Sequence, residues 1–341
     1  RGRAMKKRIL FLSPFISPSR GGIQNLSYHL FSFLRKKVQI VGFSGNVAEN
    51  EKFSDVNYTK NGKSQLKIAV EMFSSVLKTI IHERKKNQLL FICMTWRLGL
   101  IAYVFYKLFR IPYIIYIHGN DIYPSNKNKL EKYWIKKILN HAEQVVANSR
   151  YTRMLGQTYG RDNIEVIHPG ISYVEKTIHP HSKGRTLLTI SRLEKRKGID
   201  TTLHAVKQLV KKYKDLHYKI AGKGKDLERL QSLVKELSID EHVTFLGFIS
   251  EEEKERLYQE AGLFVMPSYE VREEGSVEGF GIVYLEANMY GKFVIGGQSG
   301  GVPDAIIDGQ TGFLVDGTNP DEIADAIDRF FRDISWKDNY P

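Results

Sequence analysis

Residues 268–287 read SYEVREEGSVEGFGIVYLEA, a polar loop that follows the apolar run Leu263–Met266 and enters the helix-spaced segment Ile282–Met289. A short apolar run, a loop and an amphipathic segment make a strand, a connection and a helix. Gly279 and Gly281 free the backbone, so the amides of Phe280, Gly281 and Ile282 can approach an anion at the positive end of that helix. A phosphate suits the position. Glu278 stands just before the helix and Glu286 within it, a spacing that prevents the two carboxylates from acting as acid and base on one atom. They read as separate hydroxyl acceptors, and a carboxylate accepting from two vicinal hydroxyls suits a sugar ring or a ribose, with a diphosphate held between.

The same unit recurs on both sides of this stretch. In the first half, Arg8–Pro14, Val38–Phe43, Leu89–Met94, Tyr113–Ile117, Gln144–Ala147 and Glu165–Ile167 read as buried strands, and Gly21–Leu34, Gln65–Ile81 and Lys127–Asn140 have helical spacing. In the second half the alternation runs from Thr186–Ile190 through Tyr218–Ala221, Val243–Leu246, Leu263–Met266 and Phe293–Gly296 to a helix at Pro320–Phe331. Strands alternating with helices predict parallel sheets covered on both faces. The expected organisation is therefore two Rossmann-like domains facing a central cleft, residues 5–175 and 184–335, with a polar linker at about 172–185. Open sheets of this kind bind ligands beyond the carboxyl ends of their strands.

A chain of 341 residues is long enough for two domains at ~100–200 residues each. Hydrophobic content of 42%, charged content of 26% and only 10 prolines exclude collagen-like, low-complexity and wholly disordered classes. The single cysteine, Cys93, can form no internal disulfide and no Cys-x-x-Cys knuckle, which suits a reducing compartment. The most apolar region, Leu89–His118, is interrupted by Arg97, Lys107, Arg110 and Pro112 before it reaches a membrane span, and nothing resembles a signal peptide. A cytoplasmic protein is expected. The leading Arg1–Ala4 before Met5 is left out of the fold reading. Residues 1–180 carry 29 Lys and Arg against 11 Asp and Glu, a balance of +18, whereas residues 181–341 carry 22 against 27, a balance of −5. Charge concentrated in one half fits an anionic membrane surface, nucleic acid or an acidic substrate.

Glu278, seven residues and Glu286 resemble the E-x7-E motif of family 4 of the retaining glycosyltransferases, and the resemblance extends over nearly the whole chain. Ser191-Arg192-Leu193 with Lys197-Gly198 resembles the family's basic pair on the donor diphosphate, and Ala221-Gly222-Lys223-Gly224 its glycine loop near the nucleobase. Gly296–Pro303 and Gly309–Gly312 resemble downstream donor-domain segments. Gly21-Gly22-Ile23-Gln24 is similar to the glycine loop after the first strand, where the Gly22 amide reaches the donor phosphate. His118, in Tyr116–Asp121, matches the active-site histidine near the transferred sugar, with Asp121 its neighbour. Asn148–Arg150 and Ile167–Gly170 resemble the segments leading to the hinge.

The resemblance implies the GT-B fold and a retaining transfer of a hexose or N-acetylhexosamine from a UDP- or GDP-sugar. The acceptor would be lipid-linked or a glycan of the cell envelope. In the implied front-face substitution Arg192 and Lys197 stabilise the leaving nucleotide, Glu278 orients the sugar hydroxyls, Glu286 holds the ribose, and the departing phosphate deprotonates the acceptor. With no Asp-x-Asp present, no metal and no cofactor are expected. Peripheral attachment to the inner face of the membrane through the basic first domain follows, with Lys132, Lys136 and Lys137 flanking Tyr133 and Trp134 on one helix. Relatives continue past Phe331 through helices that cross back onto the first domain, so a truncated or shortened tail is expected here.

Each residue also has a plainer reading. Glu286 is a surface acid in that view, His118 a satisfied core histidine, and Arg192 and Lys197 members of a solvated run. Lys195 and Arg196 are read as surface residues, and Arg84–Lys86 and Lys132–Lys137 as solvated helix faces. Gly222-Lys-Gly224 lacks the third glycine of a dinucleotide loop, Leu227 standing in its place, which argues against a dehydrogenase. Two rivals remain: a nucleotide-sugar 2-epimerase of the same fold, and a nucleic-acid-binding protein, which leaves the Glu278 and Glu286 segment without a purpose.

Overall fold

The computed structural model describes residues 6–16, 22–44, 53–58, 65–124, 127–171 and 185–333. The chain divides between His168 and Pro169 into two compact units. Most of the expected linker, Gly21 and everything after Asp333 lie outside the described residues.

In the first unit the order is β1 (Lys6–Ser13), α1 (Gly22–Leu34), β2 (Gln39–Ser44), β3 (Val56–Tyr58), α2 (Gln65–Glu83), β4 (Asn87–Cys93), α3 (Trp96–Phe109), β5 (Tyr113–Ile117), α4 (Lys129–His141), β6 (Gln144–Ala147), α5 (Arg150–Gln157) and β7 (Glu165–Val166). The strands pair in the order β3-β2-β1-β4-β5-β6-β7, all parallel. Leu10 and Leu12 enter the core on one face and Phe11 the core on the other, and all three are wholly buried. That is why the strand is apolar without alternation.

The second unit runs β8 (Thr186–Ile190), α6 (Ile199–Leu209), β9 (His217–Ala221), α7 (Leu227–Glu236), β10 (Val243–Gly247), α8 (Glu251–Glu260), β11 (Leu263–Met266), α9 (Ile282–Met289), β12 (Val294–Gly297), β13 (Gly312–Val315) and α10 (Pro320–Arg332). Its parallel sheet has the order β10-β9-β8-β11-β12-β13. Leu263 and Val265 of β11 pack with α6, α7 and α10, while Phe264 and Met266 pack with α8 and α9. In each sheet the first strand has neighbours wound outward in both directions, so the connections diverge between β1 and β4 and between β8 and β11. A crevice opens beyond the carboxyl ends of such a pair.

Four elements were not expected from the sequence: β3, α3, α5 and β13. Helix α3 occupies the middle of the Leu89–His118 run. It is entered through Thr95 in extended backbone and ended by Arg110, whose φ of 57° stops the helix. No helix among the described residues is long and apolar enough to cross a membrane.

Candidate active site

The divergence of β8 and β11 decides which loops meet in the second unit. Ser191–Gly198 leaves β8 and Pro267–Gly281 leaves β11, adjacent strands in the sheet, and the Gly222-bearing loop leaves β9 on the far side of β8. Gly222 has φ +136°, and a Cβ there would sit 1.8 Å from the Ser191 carbonyl oxygen. Only glycine lets the two loops pass at that distance. Gly281, with φ +91°, caps α9, where a Cβ would meet the Tyr284 ring at 2.3 Å. Phe280 is buried in the core beneath it and fixes the loop, so the amides of Gly281 and Ile282 open α9 with no preceding helix carbonyl to bond.

Five charged side chains form a continuous chain across these loops. Lys197 Nζ donates to Glu278 Oε2 at 2.5 Å and Arg196 Nη1 to the same oxygen at 2.6 Å. Arg196 Nε lies 3.2 Å from Glu194 Oε2, and Arg192 Nη1 lies 2.7 Å from Glu194 Oε1. Burial would raise the Glu278 carboxyl, but Lys197 and Arg196 outweigh it and hold the group down at about 2. Burial also lowers the Lys197 ammonium, against the pull of Glu278. Glu278 Oε1 makes no hydrogen bond with a described residue. One carboxylate oxygen is thus held by cations while the other remains to accept a hydroxyl.

Arg196 corrects the surface reading. Its side chain is only 5% exposed, whereas that of Arg192, expected at the diphosphate, is 70% exposed and reaches Glu194. The reason is local: Lys195–Lys197 form a single 3-10 turn ending at Gly198, which turns Lys195 outward and Arg196 and Lys197 inward. Glu286 sits in the second turn of α9, where it accepts from Tyr258 Oη at 3.2 Å and Lys254 Nζ at 3.5 Å, both on α8. Neither partner was singled out in the sequence.

In the first unit β1, β4 and β5 are neighbours, so their carboxyl ends bring the start of α1, Met94 and His118 to one sheet edge. His118 is buried, and its Nε2 lies 2.9 Å from the Met94 carbonyl. A carbonyl only accepts, so Nε2 carries the proton and Nδ1 the lone pair. Burial lowers the imidazole's affinity for a second proton. The His118 amide donates to Asp121 Oδ1 at 2.9 Å, giving Asp121 a turn-locking contact. Gly22 opens α1, and a Cβ there would meet nothing within 4 Å.

A model described as Glycosyltransferase Family 4 matches residues 20–173, and one described as Glycosyl transferases group 1 matches residues 174–339. The chain belongs to glycosyltransferase family 4. This family 4 chain is 35% identical over 206 residues to a GDP-mannose-dependent alpha-(1-6)-phosphatidylinositol monomannoside mannosyltransferase of Mycolicibacterium smegmatis, a match over 57% of the chain and 54% of the relative. It thus spans about half the length of that enzyme. To a D-inositol 3-phosphate glycosyltransferase of Corynebacterium jeikeium it is 26% identical over 307 residues, covering 81% of the chain and 72% of the relative. Among solved structures, Anabaena HepE in complex with UDP and glucose superposes with a TM-score of 0.76 at 20% identity, over 98% of the chain and 91% of HepE. Sucrose-phosphate synthase of Thermosynechococcus elongatus gives 0.75 at 18% identity, over 97% and 91%. At these identities the likeness establishes the fold of the family 4 chain, which is GT-B.

Proposed function

We propose that this chain is a retaining hexosyltransferase that takes a nucleotide-diphosphate sugar and delivers the sugar to a lipid-linked or saccharide acceptor. The observation that carries the proposal is the Arg192-Glu194-Arg196-Glu278-Lys197 chain of charges beside the amino end of α9. Cations and free amides at that point oppose the charge that grows on a departing diphosphate. Glu278 Oε1 accepts from the sugar, Glu286 from the ribose, and His118 contacts the transferred sugar with a neutral ring. No protein nucleophile is assigned; the departing phosphate takes the acceptor proton. The mannosyltransferase match makes GDP-mannose the first donor to assay, with UDP-hexoses and UDP-N-acetylhexosamines beside it. The deciding experiment is donor turnover with and without a prenyl-phosphate or glycan acceptor, followed by the anomeric configuration of the product. An inverted product removes the retaining assignment, conversion of donor alone to its epimer replaces transfer by epimerisation, and activity lost in EDTA and restored by Mn²⁺ removes the metal-free reading.

Glu286→Ala is expected to weaken donor binding about tenfold to a hundredfold, the loss of ~1.5–3 kcal/mol for hydrogen bonds to a charged group. A 2′,3′-dideoxynucleoside diphosphate should bind wild type and variant alike. If the dideoxy compound loses as much as the ribonucleotide, Glu286 acts through the fold and not on the ribose.

Attachment of the basic first unit to an anionic membrane is part of the same proposal. On α4, Leu130 and Tyr133 are 65% and 52% exposed and Lys132 and Lys136 are exposed, whereas Trp134 packs inward against Tyr103. The interface therefore rests on Leu130 and Tyr133, without Trp134. The protein is expected to sediment with anionic vesicles at low ionic strength and to leave them as salt shortens the Debye length well below ~10 Å. Equal partition onto neutral vesicles points to a soluble acceptor.

A further inference from the structure

The amino ends of the first sheet's strands border a hollow of about 910 Å³, formed by the starts of β1 and β4, the end of α3 and the entry to β5. Small-molecule sites have volumes of ~300–1,000 Å³. Four cations line it, Lys7, Arg8, Arg84 and Arg110, against the single acid Glu143. Val38, Leu108 and Phe109 line it too, and they are 40%, 63% and 36% exposed.

The cations are arranged for an anion. Arg84 lies 4.7 Å over the Phe109 ring and Arg110 5.7 Å over the Tyr106 ring. A guanidinium held on an aromatic face keeps its in-plane N–H edge for a bidentate acceptor. Arg8 Nη1 is paired with Glu83 at 2.9 Å, but its Nε–H is buried with no acceptor. Lys7, Arg84 and Arg110 have no carboxylate partner among the described residues. A plainer account is that Arg84 and Arg110, just past α2 and α3, oppose the negative helix ends. That accounts for two charges and leaves the apolar hollow and the orphaned Arg8 donor unexplained.

We propose that this hollow binds an anionic amphiphile, with a phosphate group among Lys7, Arg8, Arg84 and Arg110 and an alkyl chain along Val38, Leu108 and Phe109. The site is separate from sugar transfer. The hollow reaches Leu90 on β4, and Phe91–Cys93 still stand between it and the carboxyl-end loops, roughly 10 Å at ~3.3 Å per residue. The ligand is therefore an attachment point or an effector, not the acceptor, and the inference does not depend on the proposed transfer reaction.

Calorimetry on the full chain tests it with decyl phosphate below its micelle concentration, inorganic phosphate and decanol. Decyl phosphate is expected to bind at least about tenfold more tightly than either fragment, and the double variant Arg84→Gln, Arg110→Gln to lose about tenfold or more of that affinity. A thermal melt close to wild type shows that the variant is folded. Competition with phosphatidylglycerol vesicles distinguishes the source: vesicles that displace decyl phosphate from the wild-type hollow assign a membrane lipid, and vesicles that leave it bound assign a free phosphate amphiphile. Decyl phosphate that binds no better than inorganic phosphate, or binds wild type and variant equally, overturns the proposal.

Discussion

Glu278→Gln should remove most of the transfer activity and destabilise the second unit by about 3–5 kcal/mol, because it leaves two buried cations without their shared carboxylate. Arg196 and Lys197 both bond Glu278 Oε2 and are nearly buried, so neither can turn to water to recover. The same change should alter the acid limb of the stability curve. The Glu278 group sits at about 2 in the folded protein, below its ordinary 4.5, so its contribution is complete above pH ~4.5 and is lost as pH falls toward 2. A shift of this size corresponds to about 3 kcal/mol at neutral pH. Denaturant unfolding of both proteins from pH 7 downward checks this: the curves should converge on acidification. A variant with wild-type stability at pH 7 and a parallel acid limb would show that the cations do not depend on Glu278.

The second large effect is expected at Gly222. Gly222→Ala places a methyl group 1.8 Å from a backbone oxygen that cannot swing aside, at a φ of +136° that L-residues avoid. The Gly222 amide bonds the Gly247 carbonyl at 2.7 Å and the Ser191 amide bonds Ala221 at 3.0 Å, so moving this loop disturbs the ends of β8, β9 and β10 together. Backbone strain of ~1–3 kcal/mol and a comparable overpacking penalty are expected. Donor affinity should fall by at least about tenfold, since ~1.4 kcal/mol of displacement at the site suffices for that. Gly22→Ala supplies the contrast, because space is open there and the melt should be unchanged. Equal melting of the Gly222 variant and wild type would mean the loop moves freely, contrary to its crossing with Ser191.

How much of this was legible in the sequence depended on whether the deciding contact was local. Strands such as Leu263–Met266 are apolar on both faces, which identifies a covered parallel sheet from a few residues. Helix α3 was hidden for the same reason, since residues such as Leu98, Ile101, Ala102 and Phe105 pack inward and leave a run no more polar than its flanking strands. Helix α5 is only eight residues long, and β3 only three. At the site, the glycines and the Glu278 to Glu286 spacing are read within one segment. The inward turn of Arg196 is not, because its charge is that of its neighbours and only the 3-10 geometry separates them. Glu194 pairs with Arg192 and Arg196 inside its own loop, where its charge alone does not mark it out, and the Glu286 partners Lys254 and Tyr258 depend on contacts made between α8 and α9.

The chain from Arg192 to Lys197 has three positive and two negative members, so the site carries its own counterions before any donor arrives. A bare cluster of cations would gather small anions from solution, and a diphosphate would have to displace them. If the donor binds as proposed, the exchange is internal: its diphosphate would take Arg192 from Glu194 and Lys197 from Glu278, and few free ions would be released. Donor affinity should therefore vary little with salt, whereas attachment of the +18 first half to an anionic surface should fall steeply. The two halves of one chain would then be told apart by a salt titration alone.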